Sequence, residues 1–268
     1  MKDQELRFVG SVPANYDRLM VPLIFQPYAD ELAARARSFQ PARILETAAG
    51  TGVVTQAVHD ALPDSEIVAT DLNQPMLDMA QQRIGSGGVR FQQADAQELP
   101  FDDGTFDLVV CQFGAMFFPD RVRGHSEARR VLRDGGHYLL AIWDRIDRNP
   151  VSNASQESLI ELFPDDPPLF LLEGPFSYTD PAAIERDLRA AGFSEVRIDT
   201  VEKRSRSASA HDAAEALCYG TPMGVEVEDR APGTLDRAFA TVERRLRAME
   251  TESGVDAPMS AHIVTATK

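Results

Sequence analysis

Ile44-Leu45-Glu46-Thr47-Ala48-Ala49-Gly50-Thr51-Gly52 is the stretch whose reading decides the fold. Its first residues close the apolar run 42–46, which has the length of a strand, and Gly52 opens a helical pattern over 52–61. Glycines at alternate positions between them let the backbone turn sharply and admit a ligand where any Cβ would obstruct it.

Outward from this turn, short apolar runs alternate with helical patterns. The runs at 66–71, 89–94, 106–112 and 137–143 are nearly continuous in apolar residues. Such runs are expected of parallel strands covered on both faces. Helices are expected at 75–83, with Pro75 in the first turn, and at 120–132, ending before Asp134-Gly135-Gly136. The alternation predicts an α/β, doubly wound, mostly parallel sheet of seven strands.

After Trp143 the pattern changes. Asn149-Pro150, Pro164, Pro167-Pro168 and Gly174-Pro175 punctuate 145–179 and predict an irregular covering segment. A helix is expected at 180–191, a strand at 195–206, helical regions at 211–219 and 233–250, and a last strand, 261–267, antiparallel beside 195–206. Leu235, Phe239, Val242, Leu246 and Met249 recur at spacings of four and three, one helix face. The expected organisation is an N-terminal helical cover (1–41), a ligand-binding core (42–144), the covering segment (145–179), the rest of the core sheet (180–206 and 259–268) and a mainly helical lid insertion (207–258).

The 268 residues are 43% hydrophobic, enough for a substantial core. Lys and Arg number 27 against 42 Asp and Glu, a formal charge of −15. Nucleic-acid substrates are disfavoured, because affinity for phosphate backbones draws on a basic face. Two cysteines, Cys111 and Cys218, make neither a disulfide framework nor a metal site. The opening residues lack the zones of a signal peptide and no apolar run is long enough to span a membrane. The expected compartment is the cytoplasm.

Position gives the glycine turn its meaning. Asp71 ends the second strand, where a carboxylate can accept hydrogen bonds from a ribose diol, and Asp95 follows the third, within reach of an adenine amino group. With Glu46, three acids stand at three successive strand ends and describe one nucleoside site, although any one alone could be a cap. A nicotinamide dinucleotide fits less well, since its fingerprint wants a small residue three positions beyond the second glycine and Thr55 stands there.

The segments 44–52, 69–80, 92–114 and 127–143 together resemble the class I S-adenosylmethionine-dependent methyltransferases, of the broad group that includes the ubiquinone and menaquinone biosynthesis C-methyltransferases. The resemblance covers 42–144 and implies a Rossmann-like fold with S-adenosyl-L-methionine as cofactor and S-adenosyl-L-homocysteine as product. It implies that Glu46, Ala48, Gly50 and Gly52 surround the methionine and ribose, and that Asp71 holds the ribose hydroxyls. Leu72 and Met76 would pack on the adenine, Asp95 and Ala96 would meet its edge, and Gln112 would face the methionine amino group or sulfonium. In similar enzymes the segment equivalent to 10–17 folds over the donor, which would let Tyr16 cover the methionine carboxylate. Ala48-Ala49 departs from the commonest loop, which often carries a glycine there.

Methyl transfer from a sulfonium needs alignment and a dry pocket more than it needs a base. The apolar residues 113–119 after the fourth strand offer a wall, with Phe113, Phe117 and Trp143 as candidate acceptor contacts. No catalytic residue is singled out. Of the five histidines, His125 is expected on a surface helix, and His211 and His262 are the remaining candidates for a base. The chain lacks an Asn/Asp-Pro-Pro-Tyr tetrapeptide, the cysteine set for trivalent arsenic and a cluster of metal ligands. What stands is transfer to a small, partly apolar metabolite (EC 2.1.1.-), the accepting O, C or N atom open. A non-catalytic S-adenosylmethionine-binding or regulatory module and a nicotinamide-dependent oxidoreductase stay as alternatives. No nucleic-acid or membrane partner is expected.

Overall fold

A computed structural model describes residues 12–85 and 87–268. The described residues divide into two compact units, 12–27 with 144–177 and 202–260, and 28–143 with 178–201 and 261–268.

The second unit is built on the sheet. Strands β1 (Arg43–Glu46), β2 (Glu66–Asp71), β3 (Val89–Gln93), β4 (Phe106–Gln112) and β5 (Leu132–Trp143) are mutually parallel, in the order β3-β2-β1-β4-β5. Their order reverses between β1 and β4, and ligands of such sheets bind outside the strand carboxyl ends at that point. Leu108, Val109, Val110 and Cys111 are all fully buried, as continuous apolar runs require when helices cover both faces. Helix α1 (Gln26–Phe39) precedes β1, and α2 (Val53–Ala61), α3 (Gln74–Ile84) and α4 (Arg121–Val131) make the crossovers. Asp120 caps α4 by accepting the Arg123 N–H at 2.9 Å.

Beyond β5 the order continues β8-β6, with β6 at Glu195–Ser207 and β8 at Gly254–Thr267. β8 runs antiparallel to β5. Side-chain and backbone bonds joining Ser194 to Thr267, Thr200 to His262 and Arg204 to Asp256 show that it is antiparallel to β6 too. The expected last strand is therefore longer than 261–267 and lies between β5 and β6. To the seven expected strands the structure adds β7, Glu250–Thr251, paired to β8. β5 also starts five residues early: two steps along β4 from Phe106 match five along β5 from Leu132, a bulge that absorbs Gly135 and Gly136.

The other unit is mainly helical and also holds β7, the end of β6 and the first half of β8. Segment 145–179, expected to be irregular, carries α5 (Pro150–Leu162) and α6 (Phe170–Glu173). Pro150 opens α5 at a position where its missing N–H costs nothing, so a residue read as punctuation is a start signal. Between α8 (Ala210–Tyr219) and α10 (Leu235–Leu246) lies α9, Met223–Arg230; α7, Pro181–Ala190, belongs to the sheet unit. Residues Tyr16–Phe25 form a π-helical stretch containing Pro22, and the Gln26 N–H reaches back five residues to the Val21 carbonyl. Among the described residues no helix is long and apolar enough to cross a membrane.

Candidate functional site

The glycine turn is stitched to the strands on either side. The Thr47 N–H bonds the Val110 carbonyl on β4 and the Ala49 N–H bonds the Thr70 carbonyl on β2, both at 2.9 Å. Within this frame Ala48, Gly50 and Gly52 alternate in the left-handed region at φ 54°, 56° and 81°. The two glycines serve different ends. A Cβ on Gly52 would stand 2.8 Å from the Ala80 Cβ, so glycine there lets α2 approach α3, whereas a Cβ on Gly50 would meet nothing within 4 Å. The space over Gly50 is the kind of cradle that backbone offers a ligand.

Asp71 ends β2, buried, with Oδ2 accepting the Gly50 N–H and Oδ1 accepting the Asn73 N–H, each at 2.8 Å. Burial raises its pKa against these hydrogen bonds. The Asn73 side chain and the Leu72 backbone add to these hydrogen bonds in favouring the carboxylate. Glu46 is buried at the end of β1, its Oε2 accepting the Thr55 hydroxyl at 2.6 Å. Burial first, and the charge of Asp71 after it, push Glu46 up to about 8. Among the described residues no basic side chain figures in the charges acting on Glu46. A buried acid beside a second one, with no basic side chain among the described residues acting on it, suits a positively charged ligand.

Asp95 follows β3 in a turn where its Oδ1 accepts the Gln97 N–H at 2.8 Å. The Ala94 N–H bonds the Asp71 carbonyl at 3.0 Å, which ties this turn to the end of β2. Leu72 accepts the Gln93 side-chain amide through its carbonyl, and Met76 is buried in the first turn of α3. Ala96 is half-buried beside Asp95, and Gln112 closes β4, buried. The structure thus gathers Glu46, Ala48, Gly50, Gly52 and Asp71 into one bonded turn and sets Asp95 and Ala96 on the adjoining strand end. Gly10 and Ser11 lie outside the described residues, and Tyr16 belongs to the helical unit, stacked on Phe25 at 5.0 Å.

Past Gln112, Phe113 adopts φ 52°, a strained conformation for an aromatic residue, held by its N–H to the Ala141 carbonyl at 2.8 Å. The ring lies flat on Trp143, centroids 3.8 Å apart, and Tyr28 meets both edge-on at 5.5 Å. Phe117 ends a single 3₁₀ turn, half-buried. Phe118 packs against Gly124, where a Cβ would come within 2.5 Å of its ring.

Several residues that matter were not singled out by sequence. In the sequence Thr55 stands out only as a misfit to a dinucleotide motif. Gln97 joins the Asp95 turn to α4: its Oε1 accepts the Asp120 N–H and its carbonyl accepts Arg123 Nε, both at 2.8 Å. Tyr28 completes the aromatic trio. These partners lie 9, 23 to 26 and more than 80 positions away along the chain, which no local spacing reveals.

Three of the histidines are tied into local contacts. His125 is fully buried against Tyr138 and Tyr178, contrary to the expected surface position, and burial lowers it to about 4. His262 is held at both nitrogens, by Thr200 Oγ1 at 3.0 Å and the Thr179 carbonyl at 3.1 Å. His211 faces Glu243 in the helical unit. Burial pushes the Cys111 thiol up to about 11 and that of Cys218 to about 12, so neither is a thiolate nucleophile at neutral pH.

Residues 45–140 match the methyltransferase domain family. These residues form a class I S-adenosylmethionine-dependent methyltransferase domain. Demethylmenaquinone methyltransferase of Deinococcus radiodurans is 40% identical to the chain over 110 residues, 40% of this chain and 46% of that protein. The enzyme of the same name from Clavibacter sepedonicus is 33% identical over 164 residues, 58% of this chain and 66% of that one. The chain spans about half the length of the curated relatives it matches. Among solved structures, Bacillus subtilis YcgJ superposes with a TM-score of 0.58 at 19% identity, over 88% of this chain and 97% of that one. A Thermotoga maritima methyltransferase described as a possible histamine N-methyltransferase does so at 0.59 and 18%, over the whole of both. These likenesses establish the Rossmann-like methyltransferase fold. The methyltransferase domain takes S-adenosyl-L-methionine as its cofactor, and the open Gly50 cradle lies beside two buried acids, Glu46 and Asp71.

Proposed function

We propose that this methyltransferase domain transfers the methyl group of S-adenosylmethionine to a small, partly apolar metabolite. The observation that carries the reading is the bonded turn at the sheet's order reversal, in which Gly50 leaves open space and its N–H is tied to Asp71. In this reading Asp71 receives the ribose hydroxyls, Asp95 and Ala96 meet the adenine, Leu72 and Met76 cover its faces, and Glu46 and Gln112 attend the methionine end. The cofactor supplies an electrophilic methyl carbon on a sulfonium. The chain's own work is to bind it, align an acceptor at roughly 3 Å and exclude water.

The Phe113–Trp143 stack supports a flat, conjugated acceptor, because an aromatic wall after β4 favours ring contacts. The demethylmenaquinone relatives act, by name, on a quinone, and a quinol carbon is one such acceptor.

Titration calorimetry with S-adenosylmethionine and its demethylated product tests the assignment. Saturable micromolar binding is expected, weakened about 100-fold by Asp71→Ala through loss of two charge-assisted hydrogen bonds. No saturation with either compound, or undiminished affinity in the variant, removes it. Incubation with a panel of phenols, quinols, amines and carboxylates then separates an enzyme, which consumes donor, from a module that only binds it.

A further inference from the structure

Thr55 stands in the first turn of α2, nine residues beyond Glu46, with no exposed surface. A buried helical threonine commonly bonds the carbonyl four residues back. Here that carbonyl, of Thr51, accepts Arg83 Nε at 3.0 Å, and the Thr55 hydroxyl is spent on Glu46 Oε2 at 2.6 Å, the length of a charge-assisted bond. Among the described residues the titratable groups acting on or acted on by Glu46 are Asp71 on β2 and Cys111 on β4, and neither brings positive charge. Among the described residues burial and Asp71 work against an ionised carboxylate at this spot, and the Thr55 hydroxyl works for it.

We propose that Thr55 is a positioning residue for the methyl donor: its hydroxyl fixes the Glu46 carboxylate to receive the cationic methionine end of the cofactor. The inference rests on the assignment of Glu46 to the donor site made above. Binding a cation favours the ionised carboxylate, so affinity rises with pH as the Glu46 proton becomes easier to remove. Deleting the Thr55 hydroxyl raises that proton's affinity and carries the rise to higher pH. At high pH the carboxylate is ionised in either protein, and the two affinities approach one another.

The probe is S-adenosylhomocysteine, which keeps the amino group and is followed by calorimetry from pH 6.5 to 8.5. Thr55→Val is expected to bind roughly tenfold more weakly at pH 7, the deficit shrinking as pH rises and the midpoint moving up by about one unit. Thr55→Ser and Thr55→Ala both delete the methyl group and differ in the hydroxyl alone. The serine variant should stay within about twofold of the parent and the alanine variant should follow valine. This pair carries the test should valine fold poorly. Unchanged affinity in valine and alanine, or a pH-independent loss shared by serine and alanine, overturns the proposal. Asp71→Ala in the same series separates the two levels. If that variant binds normally, the donor-site assignment has failed; if it loses binding while the Thr55 series is silent, only the role of Thr55 has.

Discussion

The glycine turn between β1 and α2 and the helical unit built from α5, α8, α9 and α10 are made by different means. In the turn each residue has a geometric duty: three left-handed backbones, N–H groups spent on β2, β4 and Asp71, and one helix approach that only glycine allows. In the helical unit an apolar stripe does most of the work. Ala238, Val242 and Leu246 of α10 are buried, while Arg244 and Arg245 pair with Glu157 and Glu161 across its exposed side. The first kind of region tolerates few sequences, and the second tolerates any sequence that keeps the stripe.

Gly52 and Gly50 give the sharpest test of that difference. Gly52→Ala incurs both a left-handed alanine and a 2.8 Å clash with Ala80, and is expected to cost about 2–5 kcal/mol of stability. Gly50→Ala has the backbone penalty alone, about 1–2 kcal/mol, yet its methyl group enters the proposed cradle and should weaken donor binding more than its stability cost explains. Urea denaturation beside calorimetry measures both. Equal stability losses would show that the two glycines do not divide their duties.

Next in size is the pH dependence of the turn. The folded-state pKa of Glu46 is about 8, above its ordinary 4.5, so the folded protein holds a proton that the unfolded chain releases. Its stabilising contribution is complete below about pH 4.5 and is lost as pH rises through about 8. The ligand-free protein should therefore lose stability between pH 5 and 8 by up to a few kcal/mol. Glu46→Gln, which cannot ionise, should flatten that slope. His125 acts at the opposite limb: lowered to about 4 from 6.5, it costs stability as pH falls through that window. A slope unchanged in Glu46→Gln would mean that this carboxyl is ionised in the folded state.

The strands from 42 to 112 were legible because continuous apolar runs between glycine and proline have one economical reading, and the acids at their ends were legible because position assigns them a task. Reading failed where one residue type serves two local purposes. Pro150 starts a helix although it looked like a break, and Gly135-Gly136 sit inside a bulged strand although they looked like its boundary. Exposed Pro258 hid the first half of β8. His125 shares the buried stripe of α4 with Ala128 and Val131, although arginines stand around it at 121, 123, 129 and 130. Thr55 and Gln97 escaped because their partners are set by the folded chain, and the sequence carries no periodic trace of them.

Ala48 is the turn's own irregularity, and it predicts a smaller effect. A Cβ on Gly114 would stand 2.4 Å from the Ala48 Cβ, so the alanine is compatible with its neighbour only because residue 114 is glycine. Ala48→Gly removes a left-handed alanine and is expected to stabilise by about 1 kcal/mol, less the entropy of a freer unfolded chain. Gly114→Ala should destabilise, and Ala48→Gly should rescue part of that loss. A double-mutant cycle reads the coupling directly, and additive effects would refute the complementarity.

At the far end of the scale stands Glu161→Gln in the helical unit. Glu161 bonds Arg244 and Arg245 at 2.8 and 2.7 Å, and these hydrogen bonds lower its pKa, yet the three side chains are 45%, 60% and 29% exposed. Water already solvates such charges, and holding long side chains together costs rotamer freedom, so short distances do not translate into stability. The variant's melting temperature should match the parent's within measurement, at low salt as well as high. A salt-dependent drop would show that this face of α10 is fixed by its charges, and the line drawn between the two regions would have to move.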